Sequence, residues 1–209
     1  MTDLEQKLES HLAKNADLSD GSHDISHLRR VKVLALRIAA LEGHDKAPPL
    51  IAAAYLHDLI NLPKSDPNRA HASTLSAKAA HPIMEDMGLS EDDIDTAAHA
   101  IEAHSYSAGI EPRTLTAKIL QDADRIDALG AIGIARTFYI AGKMGSNLFD
   151  PDDPFAEDRA LDDRAFALDH FEVKLLKLVD TMQTDGGRQI AQERTEFMRK
   201  FVEQFGQET

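Results

Sequence analysis

The 209-residue chain contains no cysteine and no tryptophan. Without thiols, disulfides, Cys-ligated zinc, iron–sulfur clusters and thiol nucleophiles are all excluded. Aromatic residues amount to 5%, so few rings are available to stack a flat ligand, and Tyr55, Tyr106 and Tyr139 are the candidates singled out for that task. Basic charge is scarce as well: 23 Lys and Arg face 36 Asp and Glu, a formal net charge of −13. That balance argues against a nucleic-acid polymer as partner, because such binding needs a basic footprint that displaces counterions. A small anion remains compatible, provided cations gather at one site. No apolar run reaches membrane-spanning length, and the opening MTDLEQKLESHLAK is polar and amphipathic. A soluble, cytoplasmic protein without a membrane partner is expected.

What the chain does have is helical periodicity. Val31, Leu34, Ala35, Ile38 and Leu41 recur at three- and four-residue spacing, and Gly43 can close that helix. Pro48–Ile60 opens with prolines and is apolar on nearly all sides, as a central buried helix would be. Further helices are predicted over about 69–87, with Gly88 as C-cap, and from the capping pair Ser90 and Asp93 to about His104. Another is predicted from Glu111-Pro112 through about Ile140, and two more over about 160–182 and 188–205. No clean period-2 segment and no repeat is present. The expected architecture is all-α, one domain over 1–209. It would comprise a helical core of about 20–142, an acidic loop at 145–158 and C-terminal helices at about 160–205. The loop reads as a solvated connection, or alternatively as a rim beside a site.

Ten histidines are present, and their placement is selective. His57-Asp58 stands near the end of the most apolar helix, where a charged carboxylate beside an imidazole is unfavourable unless compensated. Both an Asp–His pair capping a helix end and a shared metal ion would supply that compensation. His23 and His27, four apart, share a face if their helix starts early enough. Asp122, Asp124 and Asp127 lie on a helix that is otherwise apolar, with Asp124 and Asp127 facing the same way. Imidazoles and carboxylates gathered on apolar helices suit a hard or borderline divalent cation: Mn, Fe, Co, Zn or Mg.

The order His27 … His57-Asp58 … Asp124 resembles the H…HD…D signature of the HD-domain superfamily of metal-dependent phosphohydrolases. The surrounding stretches SHDISHLRRVKVLALRIA, LHDLINLPKSDPNRA, IEAHSYS and ILQDADRIDALGAIGIARTF resemble its small stand-alone bacterial branch, as do DDRAFALDHFEVKLLKL and GRQIAQERTEFMRKF. The resemblance covers roughly residues 20–205 and implies a single HD-type helical domain with a C-terminal helical extension. It makes His27, His57, Asp58 and Asp124 the ligands of one divalent metal ion. Asp124 is preferred to Asp122 because it stands in Ala123-Asp124-Arg125-Ile126, like the family's last ligand. Asp122, Asp127 and His23 would orient ligands or water, or serve local structure. A second metal would recruit His71 or His104, although their contexts do not match the branches that hold two.

The resemblance further implies a metal-dependent phosphohydrolase acting on a small anionic phosphorylated substrate, a nucleotide. One divalent ion with Asp58 and Asp124 is formally near neutral, so a phosphate needs further cations. Arg30, Lys64, Arg69 and Arg125 stand within the motifs, although each is also an ordinary surface charge by composition. One departure bears on mechanism. Asn61 stands where several of these hydrolases place a water-orienting Glu, and an amide cannot accept a proton as a carboxylate does. Asp127 or His104 is then the candidate base. The alternative is a regulatory module that binds metal or nucleotide without turnover. His81 and His99 read as packed or solvent-facing, and His11, His44 and His170 lie outside every motif.

Overall fold

Apolar spacing of three and four becomes α-helix over much of the residues described by the computed structural model, namely 1–15, 24–62, 66 and 68–209. The architecture is all-α, as predicted. Apart from an isolated parallel bridge between Asn147 and Phe166, no β-structure occurs among the described residues. No helix among them is long and apolar enough to cross a membrane. The chain divides into two compact units, Met1–Asp124 and Arg125–Thr209.

The first unit is organised by α3 (Ala47–Leu56). Pro48 and Pro49 stand in its first turn, where missing N–H groups cost nothing, and every residue from Pro49 to Leu56 is buried. Its alanines let α2 (Ile25–Leu41) and α5 (Glu91–His104) pack closely against it. Burial of a leucine or isoleucine side chain stabilises by roughly 1.5–3 kcal/mol, so Leu50, Ile51 and Leu56 make α3 the axis of this unit. The helix stops at Leu56, short of the expected Ile60, and residues 57–60 turn away. Ile60 donates its N–H to Ser76 Oγ at 3.0 Å, which pins this turn to α4 (Ala72–Asp86). Ser90 accepts from the Asp93 N–H at the start of α5, as its capping pattern predicts.

The amphipathic opening forms α1 (Asp3–Asn15), held by buried charge as well as by Leu8 and Leu12. Buried Glu5 pairs with Lys32 at 2.7 Å. Glu9 accepts from Arg29 Nε at 2.8 Å and Nη2 at 2.6 Å, and from the Tyr55 hydroxyl at 2.8 Å. Tyr55 is therefore a core residue whose ring is not available to stack a ligand. Burial, together with the hydrogen bond to the Glu9 charge, pushes its hydroxyl well above the ordinary tyrosine range.

The last ligand-bearing helix, α6 (Leu115–Asp127), does not run on to Ile140 as predicted. Leu129 is extended and Gly130 takes φ +75°, a left-handed conformation that side chains disfavour, before α7 (Gly130–Met144) begins. Three residues on, a Cβ at Gly133 would stand 2.1 Å from the Ala128 carbonyl oxygen. Two glycines thus permit a corner that helical periodicity alone hides.

In the second unit, the helix predicted from about 160 to 182 is replaced by turns, a short α8 (Asp169–Val173) and a 3-10 stretch at Leu175–Thr181. The cause is local side-chain bonding. Buried Asp169 receives Nη1 and Nη2 of Arg159 at 2.6 and 2.9 Å and the Asp162 N–H at 2.7 Å, which fixes this segment in a non-helical path. Asp153 in the acidic loop accepts the N–H groups of Glu157, Asp158 and Arg159. The final helix, α9 (Asp185–Gly206), is capped by Thr184 and packs against α7, with Phe138 stacked against Phe205 at a 6.3 Å centroid separation.

Candidate metal centre

Four elements of the first unit deliver ligand-type side chains to one place. Asp24 caps α2 by accepting the His27 N–H at 2.9 Å, which sets His27 in the first turn. His57 is the residue at which α3 ends, and Asp58 follows in the turn. His104 is the last residue of α5, and Asp124 lies near the end of α6. His27, His57 and His104 are buried, while the Asp58 and Asp124 side chains are 22% and 29% exposed. The imidazoles thus form the floor and the carboxylates the accessible rim.

Nε2 of His27 lies 3.3 Å from Nε2 of His57, 3.5 Å from Asp124 Oδ1 and 3.9 Å from Asp58 Oδ2. Nε2 of His57 lies 3.6 Å from Asp58 Oδ2 and 3.7 Å from Asp124 Oδ1. Ligand atoms about 2.1 Å from a divalent ion stand about 3.0–3.5 Å from one another. The set is therefore the right size, needing only slight contraction. His104 Nε2 joins from the side, 3.6 Å from Asp58 Oδ1.

Tautomers follow from the backbone. His57 Nδ1 lies 2.9 Å from the Ala54 carbonyl oxygen and His104 Nδ1 lies 2.6 Å from that of Ile101. A carbonyl only accepts, so both Nδ1 atoms carry the proton and a neutral ring presents a lone pair at Nε2. Burial holds the His57 ring down to about 4, against the opposing pull of Asp58, so it is neutral at pH 7. For His104, burial also disfavours the charged form. Its contacts with Asp58, the Asp124 charge and the Ile101 carbonyl outweigh that effect, and the ring is shifted upward. Lone pairs of nitrogens and carboxylates converging in this way repel one another unless a cation stands among them. The donor set fits a divalent ion. Its two overlapping triads, His27/His57/Asp124 and His57/Asp58/His104, share the single Nε2 lone pair of His57.

A pocket opens beside the ligands, lined by His57, Asp58, Asn61, Arg69, Ser73 and His104, among others. Asn61 and Arg69 are thus both part of the pocket lining. Arg69 also donates to the Leu62 carbonyl oxygen. Arg30 is half-buried, three residues past His27 on α2. Arg125 donates Nη1 to the Thr181 carbonyl oxygen at 2.8 Å inside the second unit. Asp127, wholly buried, lies 3.8 Å from Nη1 of Arg136 in that unit. Lys64, His23 and the side chain of Tyr106 fall outside the described residues. His71 is exposed and belongs to neither triad. His81 pairs with Glu85, and His99 accepts the Arg113 N–H at 3.1 Å.

Three supporting residues escaped the sequence reading. Gln121 is buried and donates Nε2 to the Ala103 carbonyl oxygen at 2.7 Å, tying the end of α5 to α6. Ser76 holds the turn after His57-Asp58. Ser73 lines the pocket. Hydroxyls and amides on helices carry no periodic signal, so only spacing from a known ligand could have pointed to them.

An HD-domain family profile matches residues 24–129, a segment that contains all five residues of this cluster. The chain belongs to the HD-domain family. A relative, the uncharacterized protein YpgQ of Bacillus subtilis strain 168, is 35% identical over 210 residues, covering 98% of this chain and 94% of the relative. The crystal structure of YpgQ in complex with ADP superposes with a TM-score of 0.74 at 33% identity, covering 99% of this chain and 97% of that one. An HD-superfamily hydrolase from Bacillus thuringiensis gives a TM-score of 0.72 at 33% identity, with 98% and 94% covered. This HD chain therefore shares its helical scaffold with proteins named as hydrolases and with one seen holding a nucleotide.

Proposed function

We propose that this chain is a metal-dependent phosphohydrolase that cleaves a phosphoester or phosphoanhydride bond of a small nucleotide. The observation that carries the reading is the convergence of the His27, His57, Asp58 and Asp124 donor atoms beside a pocket that also presents Arg69. The ADP held by the related YpgQ supports a nucleotide as the substrate class.

Those four residues would hold one divalent ion, Mn, Fe, Co, Zn or Mg. The single Nε2 lone pair of His57 favours one ion over two. Such an ion supplies Lewis acidity toward a phosphoryl oxygen and acidifies a water for attack. The chain supplies the rest. Ala54 and Ile101 hold the His57 and His104 rings by their carbonyls, so no reorientation is needed on binding. Arg69, with Arg30 and Lys64 as further candidates, steadies charge on the phosphoryl oxygens. Asn61 can hydrogen-bond a water but cannot take its proton. That task falls to His104, whose ring faces Asp58 inside the pocket, or to Asp127. Hydrolysis adds water across the P–O bond, leaving a phosphate group on one product and a hydroxyl or phosphate on the other.

A second reading, a non-catalytic metal- or nucleotide-binding module, draws on Asn61 alone. The deciding experiment begins with metal content of protein purified without chelator, compared with Asp124→Ala. Turnover of a nucleotide panel with Mn or Co follows, with His57→Ala as control. Metal lost in the first variant and turnover lost in the second support the hydrolase. Stoichiometric metal and nucleotide binding with no turnover would establish the regulatory module instead. An empty wild type that takes up no added metal would overturn the hydrolase.

A further inference from the structure

We propose that Ser73 is the substrate-contacting hydroxyl of the pocket, receiving a phosphoryl oxygen together with Arg69 at the start of α4. The inference rests on the reading of this pocket as a phosphate-ester site and adds a residue to it.

Ser73 is 2% exposed, and its Oγ has no hydrogen-bond partner among the described residues. A buried hydroxyl left in that state destabilises a protein, since it has given up water for nothing. Ser73 also lines the pocket that contains His57, Asp58, Arg69 and His104. Its neighbour Ser76, one turn further along the same helix, shows the ordinary arrangement. It is equally buried, but its Oγ accepts the Ile60 N–H. The difference between the two serines is that one faces the chain and the other has only the pocket in which to find a partner.

The surroundings select an oxyanion. Ser73 is in the first turn of α4, a fifteen-residue helix whose positive end lies there, and His71 supplies no side-chain cap to it. Arg69, immediately ahead, contributes a fixed positive charge to the same pocket. The carboxylate of Asp58 lines the same pocket, and an anion would avoid it unless the metal ligands hold their cation. The seat therefore belongs to a phosphoryl oxygen next to the metal ligands.

The test is Ser73→Ala, with Ser76→Ala beside it, each loaded with the metal found in the purified protein. Thermal melting without phosphate and calorimetric titration with inorganic phosphate are the two readouts. Ser73→Ala should melt no lower than wild type, because the hydroxyl it removes has no partner to lose. Its phosphate binding should weaken roughly ten- to hundredfold, the usual loss for a hydrogen bond to a charged group. Ser76→Ala should melt lower. A Ser73→Ala protein that melts well below wild type would show that the hydroxyl is bonded within the chain, which overturns the proposal. So would unchanged phosphate affinity, or a wild type that binds no phosphate. Turnover separates the two readings. A wild type that binds phosphate through Ser73 yet hydrolyses no nucleotide sinks the hydrolase and keeps the seat. Turnover with unchanged phosphate affinity and KM in Ser73→Ala does the reverse.

Discussion

Nε2 of His104 faces Oδ1 of Asp58 at 3.6 Å, while the other nitrogen of the ring is committed to the Ile101 carbonyl. In metal-free protein this neighbour is what overcomes the penalty of burial and raises the affinity of His104 for a proton. Asp58→Asn should therefore lower the titration midpoint of His104, followed by its ring resonances in NMR, and should also abolish stoichiometric metal. An unmoved midpoint would mean that Asp58 does not govern this ring.

Acid should act on the fold in two separable windows. His57 is depressed to about 4 by burial, so the unfolded chain takes up a proton first. Its contribution is complete above about pH 6.5 and declines as pH falls toward 4. Glu9 is held near 2, chiefly by Arg29, so its contribution is present above about 4.5 and is lost between there and 2. Glu9→Gln in metal-free protein should cost about 1–3 kcal/mol at neutral pH and flatten only the lower window. Urea midpoints measured across pH would show it, and an unchanged lower slope would contradict the pairing.

The corner between α6 and α7 depends on Gly133. A Cβ there would collide with the Ala128 carbonyl, whereas Gly142 on α7 has nothing within 4 Å of its Cβ position. Gly133→Ala should destabilise by about 1–3 kcal/mol through overpacking. Gly142→Ala should be neutral or stabilise by about 0.5–1 kcal/mol through reduced unfolded-state freedom. Chemical denaturation of the pair would refute the account if the order were reversed.

The four candidate cations should not behave alike. Arg69→Ala and Lys64→Ala should raise KM for a nucleotide substrate while metal content stays intact. Arg125→Ala should lower the melting temperature, because its guanidinium satisfies the Thr181 carbonyl. Steady-state kinetics with metal analysis would assign each. Unchanged KM in Arg69→Ala would remove it from the site despite its place in the pocket.

Much of the helical layout was legible because burial on a helix leaves a periodic record. The run around α3, the Ser90 cap and the apolar face of α2 are instances. The residues brought together at the centre, His57-Asp58 above all, were legible because charge on an apolar helix is costly without a purpose. Other features were silent for identifiable reasons. The corner at Leu129 and Gly130 hides inside a continuous apolar rhythm, and the non-helical path of 160–168 is set by Arg159 and Asp169, whose partnership is not periodic. Tyr55 was singled out as a scarce ring, but its hydroxyl belongs to Glu9. Ser73 and Ser76 have the same residue type on the same helix, and only tertiary contacts tell them apart.

The anchoring of His57 and His104 by main-chain carbonyls has an evolutionary reading. Both rings take their orientation from atoms that every residue possesses, three positions earlier in the same helix. Ala54 or Ile101 can change identity without removing the acceptor, so drift at those positions leaves the donors aimed as before. The fragility of the centre is thereby concentrated in the few side chains that meet at its middle. A lineage could reshape the rim around them, and with it the choice of substrate, without having to rebuild the floor.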